Sequence, residues 1–219
     1  MKPIHFQAIL FDLDDTLYDL RSYWRGRLHE ALGMLGERYP QLKRDELIGR
    51  AIAEKVYIEK LPGFLRGLAI DDEALIDTIH AAFGRDWFTR LMLNEDAPAT
   101  LAALRPHYRL GLVTNGPSRM QRPKIEQFRL GDYLDPLIVS EEVGVAKPDP
   151  AIFHLALERL GTRPEHTLYV GDSLEFDLPG AAAAGLPFIW MNPRRESLPA
   201  QLPAPLATIE RLSELVGLL

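Results

Sequence analysis

Short apolar runs separated by helix-like segments are the feature that most narrows the folds open to this chain. Five runs recur along the sequence: 8–11 (AILF), 110–113 (LGLV), 137–139 (LIV), 167–170 (TLYV) and 187–190 (PFIW). Runs this short and without polar alternation are typical of strands covered on both faces, as in a parallel sheet. Because helix-like segments alternate with the later runs, the sequence predicts an open α/β sheet with right-handed crossovers.

One of the predicted helices has clear start and stop signals. Asp149 can cap it, Pro150 suits its first position, and Gly161 can end it. A last short strand and helix are predicted in 207–219 (ATIERLSELVGLL).

The long interval between the first two runs has a different pattern. Apolar residues from Trp24 to Tyr39 step by three or four positions, as on one helix face, and a second candidate helix begins at Asp71. The second helix would present one apolar face, formed by Leu75, Ile76, Ile79 and Phe83. We therefore predict an inserted all-helical cap domain at 18–95 and a Rossmann-like core, with a mainly parallel sheet flanked by helices, at 1–17 and 96–219.

Polar and charged residues follow the predicted strands, at the sheet edge where ligands of open α/β sheets gather. Asp12, Asp14 and Asp15 come directly after the first run. Crowding three carboxylates there is unfavourable unless a cation neutralises them. The later strand ends and the loops after them add Thr114, Asn115, Gly116, Lys147, Asp172, Ser173 and Asp177.

These residue types suit phosphoryl transfer. Oxygen ligands from Asp12, Asp14 and Asp172 suit Mg²⁺, and a carboxylate can attack phosphorus to give an aspartyl-phosphate. Asp14 can protonate the leaving oxygen and later take a proton from water. Thr114, with nearby backbone N–H groups, can hold the phosphoryl oxygens, and Lys147 can offset the negative charge.

Four motifs in order carry a family resemblance: DLDDT (12–16), TNG (114–116), AKPDP (146–150) and GDSLEFD (171–177). Over Phe6 to Asn192 the sequence resembles the haloacid dehalogenase-like hydrolase superfamily, and the predicted insert matches the position of that family's helical cap. A single D-x-D-x-T is weak evidence, whereas four motifs in order, each at a predicted strand end or in the loop after it, are strong.

The resemblance implies a role for each matching residue. Asp12 would be the nucleophile and Asp14 the acid/base, while Thr114 and Asn115 would bind phosphate and Lys147 would stabilise it. The residues expected to hold Mg²⁺ are Asp12, Asp14 and Asp172, with Asp177 in support.

Asp14 separates the reactions within this superfamily. Haloacid dehalogenases resemble this fold but lack the second aspartate, because a halide leaving group needs no proton, so Asp14 favours a phosphatase. Sugar-phosphate mutases keep both aspartates and stay an alternative. The TNG form and the stretch 122–135 are most similar to the nucleotidase and sugar-phosphate phosphatase branch. A non-enzymatic receiver-like module would place its acidic pair and its phospho-acceptor after different strands.

Composition limits the partners. A formal net charge of −6 provides no basic field for a nucleic-acid polymer or an anionic membrane, and the absence of cysteine excludes thiolate chemistry. No run approaches the roughly 20 apolar residues of a spanning helix, and the N-terminal run is broken by acids too early for a signal peptide. We expect a cytoplasmic monomer or homodimer that acts on a small phosphorylated metabolite.

Other residues receive simpler interpretations. Trp24 is expected in a helix core, and Arg66 is a candidate contact for the phosphate or the leaving group. Arg119, Arg122 and Lys124 are interpreted as a solvated helix face.

Overall fold

The computed structural model describes residues 5–36, 38–85 and 88–219. The chain divides into two compact units, one formed by the residues up to Asp19 together with Met92–Leu219, the other by Leu20–Leu91. The divisions lie two residues after the predicted 17/18 boundary and four residues before the predicted 95/96 boundary.

A six-stranded parallel sheet organises the two-segment unit, in the order β3-β2-β1-β4-β5-β6. The strands are β1 (Ala8–Phe11), β2 (Arg109–Thr114), β3 (Leu137–Val139), β4 (Thr167–Gly171), β5 (Phe188–Met191) and β6 (Ala207–Ile209). The predicted parallel α/β sheet is confirmed, including the short strand near the C-terminus. All four residues of β1 are buried, which is why this strand has no polar alternation.

Among the described residues of this unit, five α-helices lie between these strands in the sequence, and a sixth follows β6: α5 (Ala97–Leu104), α6 (Ser118–Gln127), α7 (Ser140–Val143), α8 (Pro150–Leu160), α9 (Asp177–Ala183) and α10 (Leu215–Leu218). The predicted signals on α8 are confirmed. The Asp149 carboxylate accepts a hydrogen bond from the Ala151 N–H at 2.9 Å, and Gly161 follows the helix with φ of 62°. This positive φ is the left-handed conformation that glycine adopts without strain.

The second unit is built from helices, namely α1 (Leu20–Leu32), α2 (Arg44–Ala53), α3 (Leu61–Arg66) and α4 (Glu73–Gly84) in chain order. The predicted apolar face of α4 is buried, and the Asp72 carboxylate caps this helix at the Leu75 N–H. The predicted pattern from Trp24 to Tyr39 is not one helix, because α1 ends at Leu32 and a 3₁₀ turn follows at Gly33–Leu35. Gly33, a poor helix former, begins the 3₁₀ turn, whereas Gly26 is accommodated inside α1.

A buried arginine completes the helical unit. The Arg27 guanidinium donates to the carbonyls of Ala82, Phe83 and Arg85 at 2.9, 2.8 and 2.5 Å. These carbonyls lie at the C-terminal end of α4, where backbone acceptors lack partners within the helix and where a positive charge is favourable. Arg27 therefore joins α1 to the end of α4.

Candidate active site

The sheet brings three of the predicted motifs to one edge. Asp12 follows β1 directly, Thr114 ends β2, and Asp172 follows β4. Since β1 lies between β2 and β4, the three residues share the carboxyl edge of three neighbouring strands. The Asp12 N–H donates to the Val170 carbonyl at 2.9 Å, which continues the ladder one residue beyond β1.

Lys147 is the centre of the buried charge network at this edge. Its side chain is 2% exposed, and its Nζ lies 2.5 Å from Asp12 Oδ1 and 2.7 Å from Asp177 Oδ1. It also donates to the Tyr169 hydroxyl at 2.9 Å. One ammonium group thus faces two carboxylates, both almost completely buried.

Asp177 is fixed by the backbone and by Tyr169. Its Oδ2 accepts the Ser173 N–H at 2.9 Å, and its Oδ1 accepts the Tyr169 hydroxyl at 2.9 Å. Gly171 makes this arrangement possible, because a Cβ at that position would overlap the Asp177 carboxylate. The glycine of GDSLEFD is therefore required by a close approach between β4 and the first residue of α9.

A group of carboxylates here has the geometry for a cation. One oxygen each from Asp12, Asp172 and Asp177 lies within 4.8 Å of the others. Burial raises the pKa of Asp12 to about 7 despite the neighbouring Lys147, and burial together with Asp12 and Asp177 raises the pKa of Asp172 to about 9. Three carboxylates with one lysine leave excess negative charge, and this set of hard oxygen donors fits Mg²⁺.

The same carboxylates set the state of their partners. Burial lowers the pKa of Lys147, but Asp12 and Asp177 more than offset this effect, so that its pKa is raised and the lysine stays charged. Burial, reinforced by Asp177, raises the pKa of the Tyr169 hydroxyl, which remains a hydrogen-bond donor.

Asp14 lies outside this carboxylate group and has its own partners. Lys124 Nζ lies 2.7 Å from Asp14 Oδ1, and Gln121 Nε2 lies 2.9 Å from Asp14 Oδ2. The Tyr18 hydroxyl also donates to Asp14 Oδ1. The prediction that Lys124 belongs to a solvated helix face is wrong, because its side chain is 4% exposed.

The other two basic residues of that predicted face differ from Lys124. Arg119 is exposed, as predicted. The Arg122 side chain is 34% exposed and forms an ion pair with Glu142, which also accepts the Ser118 hydroxyl. Lys124 lies three positions after the buried Gln121, so both side chains belong to the buried face of α6.

Gln121 links Asp14 to the TNG motif. Its Nε2 donates to Thr114 Oγ1 at 2.6 Å and to the Asn115 carbonyl at 3.1 Å, as well as to Asp14. Gly116 adopts φ of 134°, a conformation that favours glycine, and its N–H donates to the Ser140 hydroxyl at 3.0 Å. Thr114 is thus buried beside the charged groups.

Asn115 has a different neighbour. Its side-chain amide donates to the Lys147 carbonyl and accepts the Lys147 N–H, both at 2.8 Å. The amide therefore fixes the position of the main chain that carries Lys147.

Two residues of the helical unit were singled out in the sequence. Trp24 is buried, as predicted, and its ring stacks on Tyr57 with centroids 4.6 Å apart. Arg66 is exposed and forms two hydrogen bonds with Glu73, at 2.9 and 2.7 Å.

Sequence reasoning missed four residues of the charge network: Tyr18, Gln121, Lys124 and Tyr169. A signal for Gln121 exists, since it lies four positions before the apolar Ile125 and therefore on the same helix face. Tyr169 is hidden within the apolar run of β4, where an aromatic residue is ordinary.

A separate cavity of about 210 Å³ lies on the two-segment unit. It is lined by Asp15, Asp19, Asn94, Glu95, Asp96, Met191, Pro193, Arg194, Glu210 and Arg211. Arg194 lies 2.9 Å from Asp15 and 3.8 Å from Asp19, so its charge is shared between two lining carboxylates. This lining includes Asp15 of the DLDDT motif but none of the residues given a catalytic, phosphate-binding or metal-binding role.

Comparison with known proteins decides the family. A model of the haloacid dehalogenase-like hydrolase family matches residues 6–185. The chain belongs to the haloacid dehalogenase-like hydrolases. It is an enzyme of the hydrolase class, and among its described residues no helix combines the length and the apolar character needed to cross a membrane.

Relatives of this hydrolase include named enzymes. The pyrimidine 5'-nucleotidase YjjG of Escherichia coli (strain K12) is 42% identical over an alignment of 226 positions, covering 96% of each chain. The N-acylneuraminate-9-phosphatase of Rattus norvegicus is 34% identical over 206 residues, covering 85% of this chain and 82% of the other. A crystal structure of the Bacillus subtilis HAD-hydrolase YfnB bound to magnesium is 27% identical, with a TM-score of 0.74 and coverage of 98% of both chains.

Proposed function

We propose that this protein is a Mg²⁺-dependent phosphomonoester hydrolase that acts on a small phosphorylated metabolite through an aspartyl-phosphate intermediate. The observation that carries the proposal is the buried Lys147 ammonium, held between the Asp12 and Asp177 carboxylates at the edge of the sheet. The names of the relatives, a nucleotidase and a phosphatase, support the reaction class.

The carboxylate group supports a metal site. Asp12 and Asp172, with Asp177 in support, would hold Mg²⁺, whose charge would offset that of the carboxylates and of the phosphoryl oxygens. The sequence also named Asp14 as a metal ligand. Because Asp14 is not part of the group of carboxylates whose oxygens lie within 4.8 Å of one another, we assign its carboxylate to proton transfer.

The first step transfers the phosphoryl group to the protein. An Asp12 oxygen attacks phosphorus, the bond from phosphorus to the ester oxygen breaks, and the Asp14 carboxyl gives its proton to the departing oxygen. The alcohol leaves, and Asp12 carries the phosphoryl group. Lys147 lies at hydrogen-bond distance from Asp12 and can stabilise the charge on the transferring oxygens.

The second step regenerates the enzyme. A water molecule attacks the phosphorus of the aspartyl-phosphate and gives a proton to the Asp14 carboxylate. The bond between phosphorus and the Asp12 oxygen breaks, inorganic phosphate leaves, and both aspartates return to their starting states. The Thr114 hydroxyl and the Asn115 N–H are the protein groups we assign to holding the phosphoryl oxygens in both steps.

Substrate choice is assigned by analogy. The relative with 42% identity is named a pyrimidine 5'-nucleotidase, which makes nucleoside 5'-monophosphates the first substrates to test. We further propose that the helical unit Leu20–Leu91 serves as the cap implied by the family resemblance, and that the protein acts in the cytoplasm as a monomer or homodimer.

The test is phosphate release from a panel of nucleoside monophosphates and sugar phosphates, with Mg²⁺ and with a chelator. We expect release that needs Mg²⁺ and that falls at least a thousandfold in Asp12→Asn, because the nucleophile is lost. Asp132→Asn is the matched control, since Asp132 is exposed and pairs with Arg129 on the surface. Turnover that survives Asp12→Asn would overturn the covalent mechanism, and sugar-phosphate isomerisation without phosphate release would favour a mutase.

Partitioning tests the intermediate itself. With methanol added as a competing acceptor, a shared aspartyl-phosphate gives the same ratio of methyl phosphate to phosphate from every substrate, because the leaving group has already departed. A ratio that changes with the substrate would contradict a common intermediate.

A further inference from the structure

A second buried lysine lies in the two-segment unit, and the mechanism above gives it no task. Lys124 on α6 is 4% exposed at its side chain, close to the 2% of Lys147. Its Nζ contacts Asp14 Oδ1 and Gln121 Oε1, each at 2.7 Å. Burying an ammonium group is costly unless it is paired, so this position depends on these two partners.

Asp14 receives donors on both of its oxygens. Lys124 and the Tyr18 hydroxyl approach Oδ1, and Gln121 approaches Oδ2. A carboxylate that accepts bonds at both ends cannot rotate about its χ2 angle without breaking them. The orientation of Asp14 is therefore fixed by Tyr18, four residues further along the same loop, and by two residues of α6.

The lysine is itself held in place. Besides its bond to Gln121, Lys124 Nζ lies 5.8 Å from the centroid of the Tyr18 ring, within the range of a cation–π contact. The Tyr18 ring packs against Phe128, with centroids 5.4 Å apart. Lys124 therefore presents its charge to Asp14 from a fixed position, which is what a positioning role requires.

Gln121 couples this group to the phosphate side. The same Nε2 that contacts Asp14 Oδ2 at 2.9 Å contacts Thr114 Oγ1 at 2.6 Å. The distance between the group that handles the proton and the hydroxyl assigned to phosphate is thus set by one buried amide.

We propose that Lys124 and Gln121 are positioning residues that hold the Asp14 carboxyl group in the orientation needed to protonate the leaving oxygen. This inference rests on the proposed phosphatase function. Proton transfer depends steeply on geometry, and a positioned acid typically contributes about 10²- to 10⁴-fold to the rate. Loss of the two positioning residues removes part of that factor.

The experiment compares esters that differ in their need for a proton. The leaving group of p-nitrophenyl phosphate departs without protonation. The leaving oxygen of an alkyl ester, such as a nucleoside 5'-monophosphate, needs a proton to depart. The value of kcat/KM reports the transfer to Asp12, so it isolates the step in which the acid acts. In Lys124→Met we expect kcat/KM to fall roughly ten- to a hundredfold more for the alkyl ester than for p-nitrophenyl phosphate.

Matched variants separate positioning from folding. Lys124→Arg keeps the charge and should recover part of the alkyl-ester rate, while Arg119→Met removes a cation from the exposed side of the same helix and should leave both rates unchanged. If Lys124→Met does not fold, Gln121→Met provides the same comparison, since it removes the donor to Asp14 Oδ2 and leaves Lys124 paired with Asp14.

The outcomes are distinct. An equal loss for both esters, or no loss, would overturn the positioning role while leaving the phosphatase intact. A wild-type protein that releases no phosphate from either ester with Mg²⁺ would instead overturn the proposed function, and this result needs no variant.

Discussion

The two buried lysine–aspartate pairs of the sheet edge differ in their access to water. In the pair of Lys147 and Asp12 both side chains are closed off, at 2% and 8% exposed, whereas Lys124 is 4% exposed but its partner Asp14 is 28% exposed. The proposed nucleophile is therefore shielded from solvent, whereas the proposed acid/base is partly exposed to it. The difference fits the roles, because a nucleophile gains from exclusion of water and an acid/base must exchange protons with it.

Lys147→Met removes the cation of the pair in which both side chains are buried, and it should have the largest effect on stability and turnover. It leaves Asp12 and Asp177 buried without their cation, which costs about 3–5 kcal/mol of unfolding free energy, and it should lower phosphate release at least a thousandfold. Urea unfolding at pH 7 and a phosphate assay measure the two effects. Lys43→Met is the control, since Lys43 is 75% exposed and should change stability by less than about 0.5 kcal/mol. An equal loss of stability in Lys124→Met would contradict the inference that the two pairs differ in how far they are shielded from water.

Gly171→Ala tests the buried surroundings of Lys147 through its partner Asp177, and it leaves every charged residue in place. The added Cβ must displace the Asp177 carboxylate, and overpacking of this kind costs about 1–3 kcal/mol. Gly49→Ala is the matched control, because a Cβ there meets nothing within 4 Å inside α2, and it should stabilise by about 0.5–1 kcal/mol. Thermal unfolding of the two variants should shift in opposite directions, and a neutral Gly171→Ala would contradict the close approach.

Tyr18→Phe tests the partly exposed pair of Lys124 and Asp14 by removing one neutral hydrogen bond to Asp14. The variant keeps the ring beside Lys124 and Phe128 but removes the hydroxyl that donates to Asp14. We expect a loss of about 0.5–1.5 kcal/mol in stability and a loss of less than tenfold in turnover, since Lys124 and Gln121 still hold the carboxylate. A loss of turnover equal to that of Lys124→Met would show instead that Tyr18 controls the orientation of Asp14.

The ion pair of Arg122 and Glu142 provides the surface reference for both buried pairs and should give the smallest effect. The hydrogen bond from Arg122 holds the pKa of Glu142 at about 2, against an ordinary value of 4.5. A lowered folded-state pKa stabilises the protein above pH 4.5, and this contribution is lost as the pH falls from there towards 2. Glu142→Gln should cost less than about 1 kcal/mol at pH 7, and urea unfolding at pH 7, 4 and 3 should show the difference from wild type shrinking. A difference that grows on acidification would contradict this sign.

The parts of the fold and site that could be predicted share one property, which is that a local pattern carries them. The apolar runs of β1 to β5 stand out because buried parallel strands carry no polar alternation. Asp12 and Asp172 stand out because each occurs in a short motif directly after a strand, and Lys147 stands out because it occurs in a short motif before the well-marked start of α8. The prediction for Lys124 was wrong because a helix that also carries Arg119 and Arg122 has the composition of a solvated helix. Its burial is favourable only because it pairs with Asp14, 110 residues earlier in the chain.

The roles of Asn115 and Gln121 could not be read from spacing either. An amide can serve a turn, a ligand or a neighbouring backbone, and the choice depends on which loop lies opposite in the folded chain. For Asn115 that neighbour is Lys147, 32 residues further on.

The two hydrogen bonds between the Asn115 amide and the Lys147 main chain have a consequence for anyone who wishes to redesign this enzyme. The amide donates to and accepts from the same residue, as a paired residue of a neighbouring strand would. The loop after β2 and the loop before α8 are therefore joined and behave as one structural unit. A graft that imports either loop from a relative without the other would break both hydrogen bonds and release the main chain at Lys147. The two loops should be transplanted as a set.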